Sequence, residues 1–98
     1  MRTIFFTPQA KRDLKNIRAY IRKENSQAAD AFVRKIHRDI NTLPKSPYIG
    51  VERDTLGKDI RMLPLKTYQI FYRVETNRIV LLRVLHSARN ITPLYFNQ

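Results

Sequence analysis

The chain contains no cysteine and only two histidines. That excludes a disulfide framework and a thiolate metal site, and it is compatible with a reducing compartment. The histidines, His37 and His86, are far apart, and no carboxylates cluster at ligand spacing, so no metal is expected. Glycine is also scarce: two glycines and five prolines are too few for a low-complexity or linker-rich protein. Long apolar runs are missing. No window approaches the ~20 consecutive apolar residues that span a bilayer. Ile4-Phe5-Phe6 is cut off by Pro8 and charges, too short for a signal-peptide core. These absences predict a soluble, cytoplasmic protein without a membrane partner. There is no GxGxxG, no P-loop and no Ser-His-Asp spacing, so no cofactor is expected.

Negative charge is the remaining scarcity. Eight Asp/Glu stand against nineteen Lys/Arg, a net charge of +11. Such a balance points to an anionic partner, either nucleic acid, an acidic protein segment or a membrane surface. The basic residues are spread along the chain, and none form a polybasic tail. Ninety-eight residues, 43% hydrophobic and 28% charged, make one domain spanning 1–98 with a modest core.

Residues 2–6 read as a first strand. Thr7 before Pro8 is a helix start, a cap oxygen ahead of a proline whose missing N–H costs nothing there. Ala10, Leu14, Ile17 and Ile21 then share one helical face to about Lys23. Asn25-Ser26 offers a new cap, and Ala29, Phe32, Ile36, Ile40 and Leu43 align along a second helix. The short connection makes the pair an antiparallel hairpin. After the turn-rich stretch around Pro47 and Gly50, strands are expected over Asp59–Leu63, Tyr68–Val74 and the run from Ile79. Both alternating sets of the last strand are apolar, so it is internal and covered on both faces. The N-terminal strand belongs against it, with the helices on one face. The fold class is α+β: an N-terminal strand, a helical hairpin and a three-stranded antiparallel segment completing a small sheet.

Three groups of polar residues carry candidate chemistry. Lys11, Lys15, Arg18 and Arg22 fall in one stripe beside the apolar face of the first helix. The stripe is either a groove wall for an acidic partner or a solvated face. His86 ends the last strand, where an imidazole acts as general acid or base, or locks the hairpin end to the helices. His37, on the polar side of the second helix, is read as inert. Arg61, Arg73, Arg83 and Arg89 lie on or beside strands, suited to holding phosphates or carboxylates, or to pairing with Asp59, Glu52 or Glu75. Arg89, just past the strand, is the strongest functional candidate among them.

Read in order, Pro8-Gln-Ala-Lys-Arg-Asp-Leu14, Ile17-Arg-Ala-Tyr-Ile21, Ala28-Ala29-Asp-Ala-Phe32, Ile60-Arg61, Leu63-Pro64, Ile70-Phe71-Tyr72-Arg73-Val74 and Arg83-Val84-Leu85-His86 with Ala88-Arg89 resemble the ParE/RelE toxin superfamily. The ParE branch is the closer match. The resemblance implies a helical hairpin on a small antiparallel sheet, and a toxin neutralised by a cognate antitoxin laid on the basic stripe Lys11, Lys15, Arg18 and Arg22. In the ParE branch it implies DNA gyrase as target and no covalent chemistry. The target contact then falls in Arg89 to Gln98, with Arg89, Asn90, Tyr95 and Phe96 as candidate residues. Asn90 stands where the family commonly has an acidic residue. The RelE branch implies instead cleavage of mRNA on the ribosome. There Glu52 would be the base, His86 the acid, and Arg61 with Arg89 the cationic clamp.

Overall fold

The chain enters the fold through strand β1 (Thr3–Phe6) and turns at Thr7 into helix α1 (Pro8–Glu24). The structure is a computed structural model and describes residues 2–96. Thr7 caps α1 as predicted, its hydroxyl oxygen accepting the Ala10 N–H at 3.1 Å, with Pro8 in the first position. Asn25 serves both helices. Its N–H donates to the Ile21 carbonyl and closes α1, while its side-chain oxygen accepts the Ala28 N–H at 3.1 Å and starts α2 (Ser26–Ile40). With one residue between them, the helices fold back on each other.

The second helix stops at Ile40, short of the predicted Leu43. Pro44 disfavours helical backbone at the residue before it, and the Thr42 hydroxyl caps the Asp39 carbonyl at 2.7 Å. Leu43 is nonetheless fully buried, so the apolar spacing continues through a turn that is no longer α-helical.

Strands β2 (Val51–Glu52), β3 (Ile60–Leu65), β4 (Tyr68–Val74) and β5 (Arg78–His86) complete an open sheet of order β1-β5-β4-β3-β2. A 3₁₀ turn over Pro93–Phe96 follows. β1 lies parallel to β5, and the other neighbours are antiparallel. The last strand is internal and covered by a core on each face. The expected alternation of Val80, Leu82 and Val84 against Ile79, Leu81 and Leu85 fails, because an extra residue at Leu82 moves Val84 to the face of Ile79 and Leu81, and Leu85 to the other. On the helical side Ile79, Leu81 and Val84 pack with Ala10, Phe32 and Ile36. On the far side Leu85, Phe71 and Ile60 pack with Leu56, closed over by Ile91, Tyr95 and Phe96.

Two boundaries differ from expectation. The strand predicted from Asp59 begins at Ile60, because Asp59 takes a left-handed backbone (φ 62°) as a turn residue. It also runs through Pro64 to Leu65. β2 pairs only with Arg61 and Met62, so the outer edge of β3 is unpaired at Pro64 and tolerates a residue without an N–H. The two-residue β2 escaped notice because both residues are exposed and carry no apolar alternation.

A bulge decides how the helices meet the sheet. Phe71 pairs with Arg83 but Tyr72 with Leu81, leaving Leu82 without an opposite residue. The start of α1 satisfies the groups freed there. The Thr7 hydroxyl donates to the Leu82 carbonyl at 3.0 Å, and the Val84 N–H donates to Asp13 Oδ2 at 3.0 Å.

Candidate functional site

The basic stripe of α1 is exposed along its length. Lys15, Arg18 and Arg22 line a groove of about 430 Å³ on the outer surface of the hairpin, floored by Leu14, Ala19 and Val33. Lys11 continues the stripe beyond that groove. Arg18 lies 3.8 Å from Asp30, an exposed pair that fixes little.

Beside it, on the flank of α1 that faces the end of β5, a cleft of about 300 Å³ is lined by Asn16, Tyr20, Tyr68, His86 and Arg89 among others. His86 Nδ1 accepts the Ala88 N–H at 3.0 Å, which places the proton of the neutral imidazole on Nε2. The Tyr68 ring meets His86 edge-on, with centroids 5.2 Å apart. Burial, reinforced by neighbouring Tyr20, raises the Tyr68 phenol above its ordinary value, so Tyr68 enters this cleft as a neutral hydrogen-bonding group.

Glu52 and Arg61 lie elsewhere. They face each other across β2 and β3 with Nη2 and Oε1 3.1 Å apart. Arg61 also donates through Nη1 to the carbonyls of Gly50 at 2.8 Å and Tyr48 at 3.2 Å, and sits 5.0 Å from the Tyr48 ring centroid. It pins the loop that follows α2. Tyr72 pins the same loop from beneath: fully buried, its hydroxyl donates to the Pro47 carbonyl and accepts the Gly50 N–H, both at 2.8 Å. Burial raises the Tyr72 phenol, partly offset by the Gly50 N–H and by Arg61.

The register separates the two halves of the acid–base set. Arg61 lies across from Tyr72, whereas His86 pairs with Tyr68, which pairs with Leu65, four residues further along β3. At ~3.3 Å per residue and ~4.8 Å per strand, the Cα atoms of Arg61 and His86 stand roughly 16 Å apart. Glu52 and Arg61 are brought together, as are His86 and Arg89, but the four residues do not form one cluster. Among the described residues no group of three or more His, Asp or Glu could hold a metal ion, and no helix is long and apolar enough to cross a membrane.

The residues expected to meet a target are also divided. Arg89 and Asn90 are exposed in the turn after β5. Tyr95 and Phe96 are half-buried, Phe96 packing edge-on against Phe71 at 5.1 Å. They anchor the tail on the sheet, while Leu94 between them and solvent is 77% exposed. Asn97 and Gln98, the end of the implicated stretch, lie outside the described residues.

One pair was not anticipated. Arg83 Nε and Nη2 donate to the two carboxylate oxygens of Asp13 at 2.7 and 2.8 Å, and Arg83 Nη1 donates to the Tyr95 carbonyl at 3.1 Å. The Arg83 guanidinium also lies 5.5 Å from the Tyr95 ring centroid. The hydrogen bonds Arg83 donates to Asp13 raise its pKa against the opposing effect of burial. The clasp joins α1, the bulged strand and the tail. Its sequence signal was faint: Asp13 is the one acid before Glu24, placed four residues before Ile17 at the margin of the apolar face.

An α+β sandwich of one helical hairpin on an open five-stranded sheet, basic along α1 and clefted where α1 passes the end of β5, is the fold class of the RelE and ParE toxins. Residues 4–91 match the sequence profile of a family described as the ParE toxin of the type II toxin–antitoxin system, parDE, and the chain belongs to that family. No curated protein matches it. Among solved structures it is similar to a chain of the chromosomal ParDE toxin–antitoxin system from P. aeruginosa, with a TM-score of 0.73 and 24% identity over 88% of this chain and 96% of that one. It is also similar to a chain of the RelBE2 toxin–antitoxin complex from Mycobacterium tuberculosis, with a TM-score of 0.54 and 26% identity over 87% and 96% respectively.

Proposed function

We propose that this ParE-family toxin inhibits DNA gyrase by binding rather than by covalent chemistry, and that a cognate antitoxin neutralises it by laying an acidic segment along the α1–α2 groove. The observation that carries the first half is that Glu52 and Arg61 line one cleft while His86 and Arg89 line another, across three strands of the sheet. Cleavage of a single phosphodiester needs base, acid and cations around one phosphorus. Arg61 instead donates to Glu52 and to the loop at Gly50. The target contact falls on the exposed turn at Arg89 and Asn90 and the tail anchored by Tyr95 and Phe96. Membership of the ParE family supports gyrase as the target. The similarity to ParDE and RelBE2 toxin–antitoxin structures supports an antitoxin partner.

For the antitoxin contact, the supporting feature is Lys15, Arg18 and Arg22 on the wall of an apolar-floored groove. A disordered acidic segment folding onto such a surface covers a large area and exchanges ordering entropy for apolar burial and charge pairing.

The ribosome-directed nuclease is the second reading, favoured by one observation: His86 and Arg89 share a cleft with Tyr68. The two readings separate on purified protein. Supercoiled plasmid and gyrase incubated with the toxin should show blocked supercoiling or trapped cleaved DNA. No effect from folded toxin, together with cutting of mRNA on programmed ribosomes, would overturn the proposal.

A further inference from the structure

The cleft between α1 and the end of β5 collects hydrogen-bond donors that the fold itself leaves unused. Asn16, Tyr20 and Arg89 line it, and among the described residues their side chains have no hydrogen-bond or ion-pair partner. The Tyr68 hydroxyl is likewise unpaired, and burial keeps that phenol neutral. His86 Nδ1 is engaged by the Ala88 N–H, so its Nε2–H is the side of the ring left to donate. Asp13 also lines the cleft, but it is 12% exposed and its oxygens are occupied. Oδ2 accepts Arg83 Nε and the Val84 N–H, and Oδ1 accepts Arg83 Nη2. The groups that remain free offer donors and the positive charge of Arg89, a set that suits an anion.

Two neighbours of these donors narrow the kind of anion. Tyr20 is 69% exposed, an open aromatic face at the edge of the cleft. Asn16 lies one helical turn before it, about 6 Å along the axis. Its amide can donate and accept at once. An exposed ring, a free amide and a free guanidinium are the groups that take the face of a nucleobase, its edge and a phosphate. The net charge of +11 favours phosphate ligands in general. At about 300 Å³ the cleft lies at the small end of ligand sites.

We propose that this cleft binds one nucleotide without covalent chemistry, the base stacked on Tyr20 with its edge on Asn16, and the phosphate held by Arg89 and the His86 Nε2–H. The Tyr68 hydroxyl is a further donor to the same ligand. This goes beyond the gyrase reading and does not rest on it. The same chemistry arrives either as a free nucleoside monophosphate or as one residue of a single strand of nucleic acid.

The test titrates the intact protein by calorimetry with adenosine 5′-monophosphate, adenosine and ribose 5-phosphate. Saturable one-to-one binding of the monophosphate is expected. Adenosine and ribose 5-phosphate should each bind at least about tenfold more weakly, since each lacks one half of the recognised group. Tyr20→Ser should weaken the monophosphate about tenfold and leave ribose 5-phosphate within about twofold. Arg89→Ala should weaken both about tenfold. Lys45→Ala removes the same charge from the exposed loop after α2 and should change neither by more than about twofold. A labelled single strand of six deoxyadenylates separates the two sources. Binding at least about tenfold tighter than the monophosphate, and lost with Arg89→Ala, assigns the cleft to nucleic acid; affinity no better than the monophosphate assigns it to the free nucleotide. Equal affinity for the monophosphate and ribose 5-phosphate, equal losses from Arg89→Ala and Lys45→Ala, or no binding of either nucleotide or strand would overturn the proposal. So would a blocked Glu-Asp-Glu peptide bound as tightly as the monophosphate and weakened equally by Arg89→Ala. No gyrase is present, so a failed gyrase experiment leaves this outcome unaffected.

Discussion

Replacing Asp13 with alanine should be among the most damaging single changes outside the apolar cores. The Asp13 and Arg83 side chains are only 12% and 20% exposed, and they meet through two hydrogen bonds at 2.7 and 2.8 Å. Asp13 Oδ2 also accepts the Val84 N–H at the bulge. Asp13→Ala leaves a largely buried guanidinium without its counter-charge and a strand N–H without an acceptor. Breaking a buried pair costs about 3–5 kcal/mol. Arg83 keeps the Tyr95 carbonyl and some access to water, which places the cost near the lower end, about 3 kcal/mol. For a domain of this size that is a fall in melting temperature of about 12–24 °C. Asp13→Asn retains an acceptor for Val84 but not the charge, and should lose about half as much. The assay is urea unfolding followed by circular dichroism, with the slope checked to be unchanged so that midpoints compare directly. A loss below about 0.5 kcal/mol for Asp13→Ala, the size of an exposed pair, would refute the claim that this clasp holds α1 to the sheet.

Other consequences are open to measurement. A Cβ at Gly50 would lie 2.6 Å from the Tyr72 hydroxyl oxygen and 2.7 Å from Cε1, so Gly50→Ala should cost about 1–3 kcal/mol by displacing a fully buried ring, read by the same unfolding assay. Tyr72 has a folded pKa raised above its ordinary 10.0 by burial. Its contribution to stability is therefore complete below about pH 10 and is lost as pH rises through the folded value. Alkaline unfolding curves should bend downward above pH 10, and less so in Tyr72→Phe. Reversing Lys15 and Arg18 to Glu should weaken antitoxin binding and flatten its salt dependence; an unchanged affinity across a salt titration would reduce the stripe to a solvated face.

Much of this fold is legible in the sequence because its strongest signals are local. Thr7-Pro8 and Asn25 are caps whose geometry is set by adjacent residues, and the i, i+3, i+4 apolar spacing of both helices needs no partner to be read. The two-sided apolar pattern from Ile79 to Leu85 announced an internal strand, and with it the pairing of β1 to β5. What escaped depends on distant residues. The bulge at Leu82 and the clasp between Asp13 and Arg83, 70 residues apart, arise only when the helix start is laid against the strand. Glu52 and Arg61 bear the right chemistry for an acid–base site, but whether they stand beside His86 is a matter of register across three strands, which spacing along the chain does not encode. Likewise Tyr95 and Phe96 read as an apolar tail in sequence, and only the second core shows them as anchors with Leu94 left outside.

The most direct test of binding without catalysis is gyrase inhibition by the folded double variant Glu52→Ala/His86→Ala. Supercoiling should be blocked as it is by the unaltered toxin, since neither side chain performs chemistry. A folded double variant that no longer affects gyrase would contradict it, as would an unaltered toxin that spares gyrase while cutting mRNA on the ribosome.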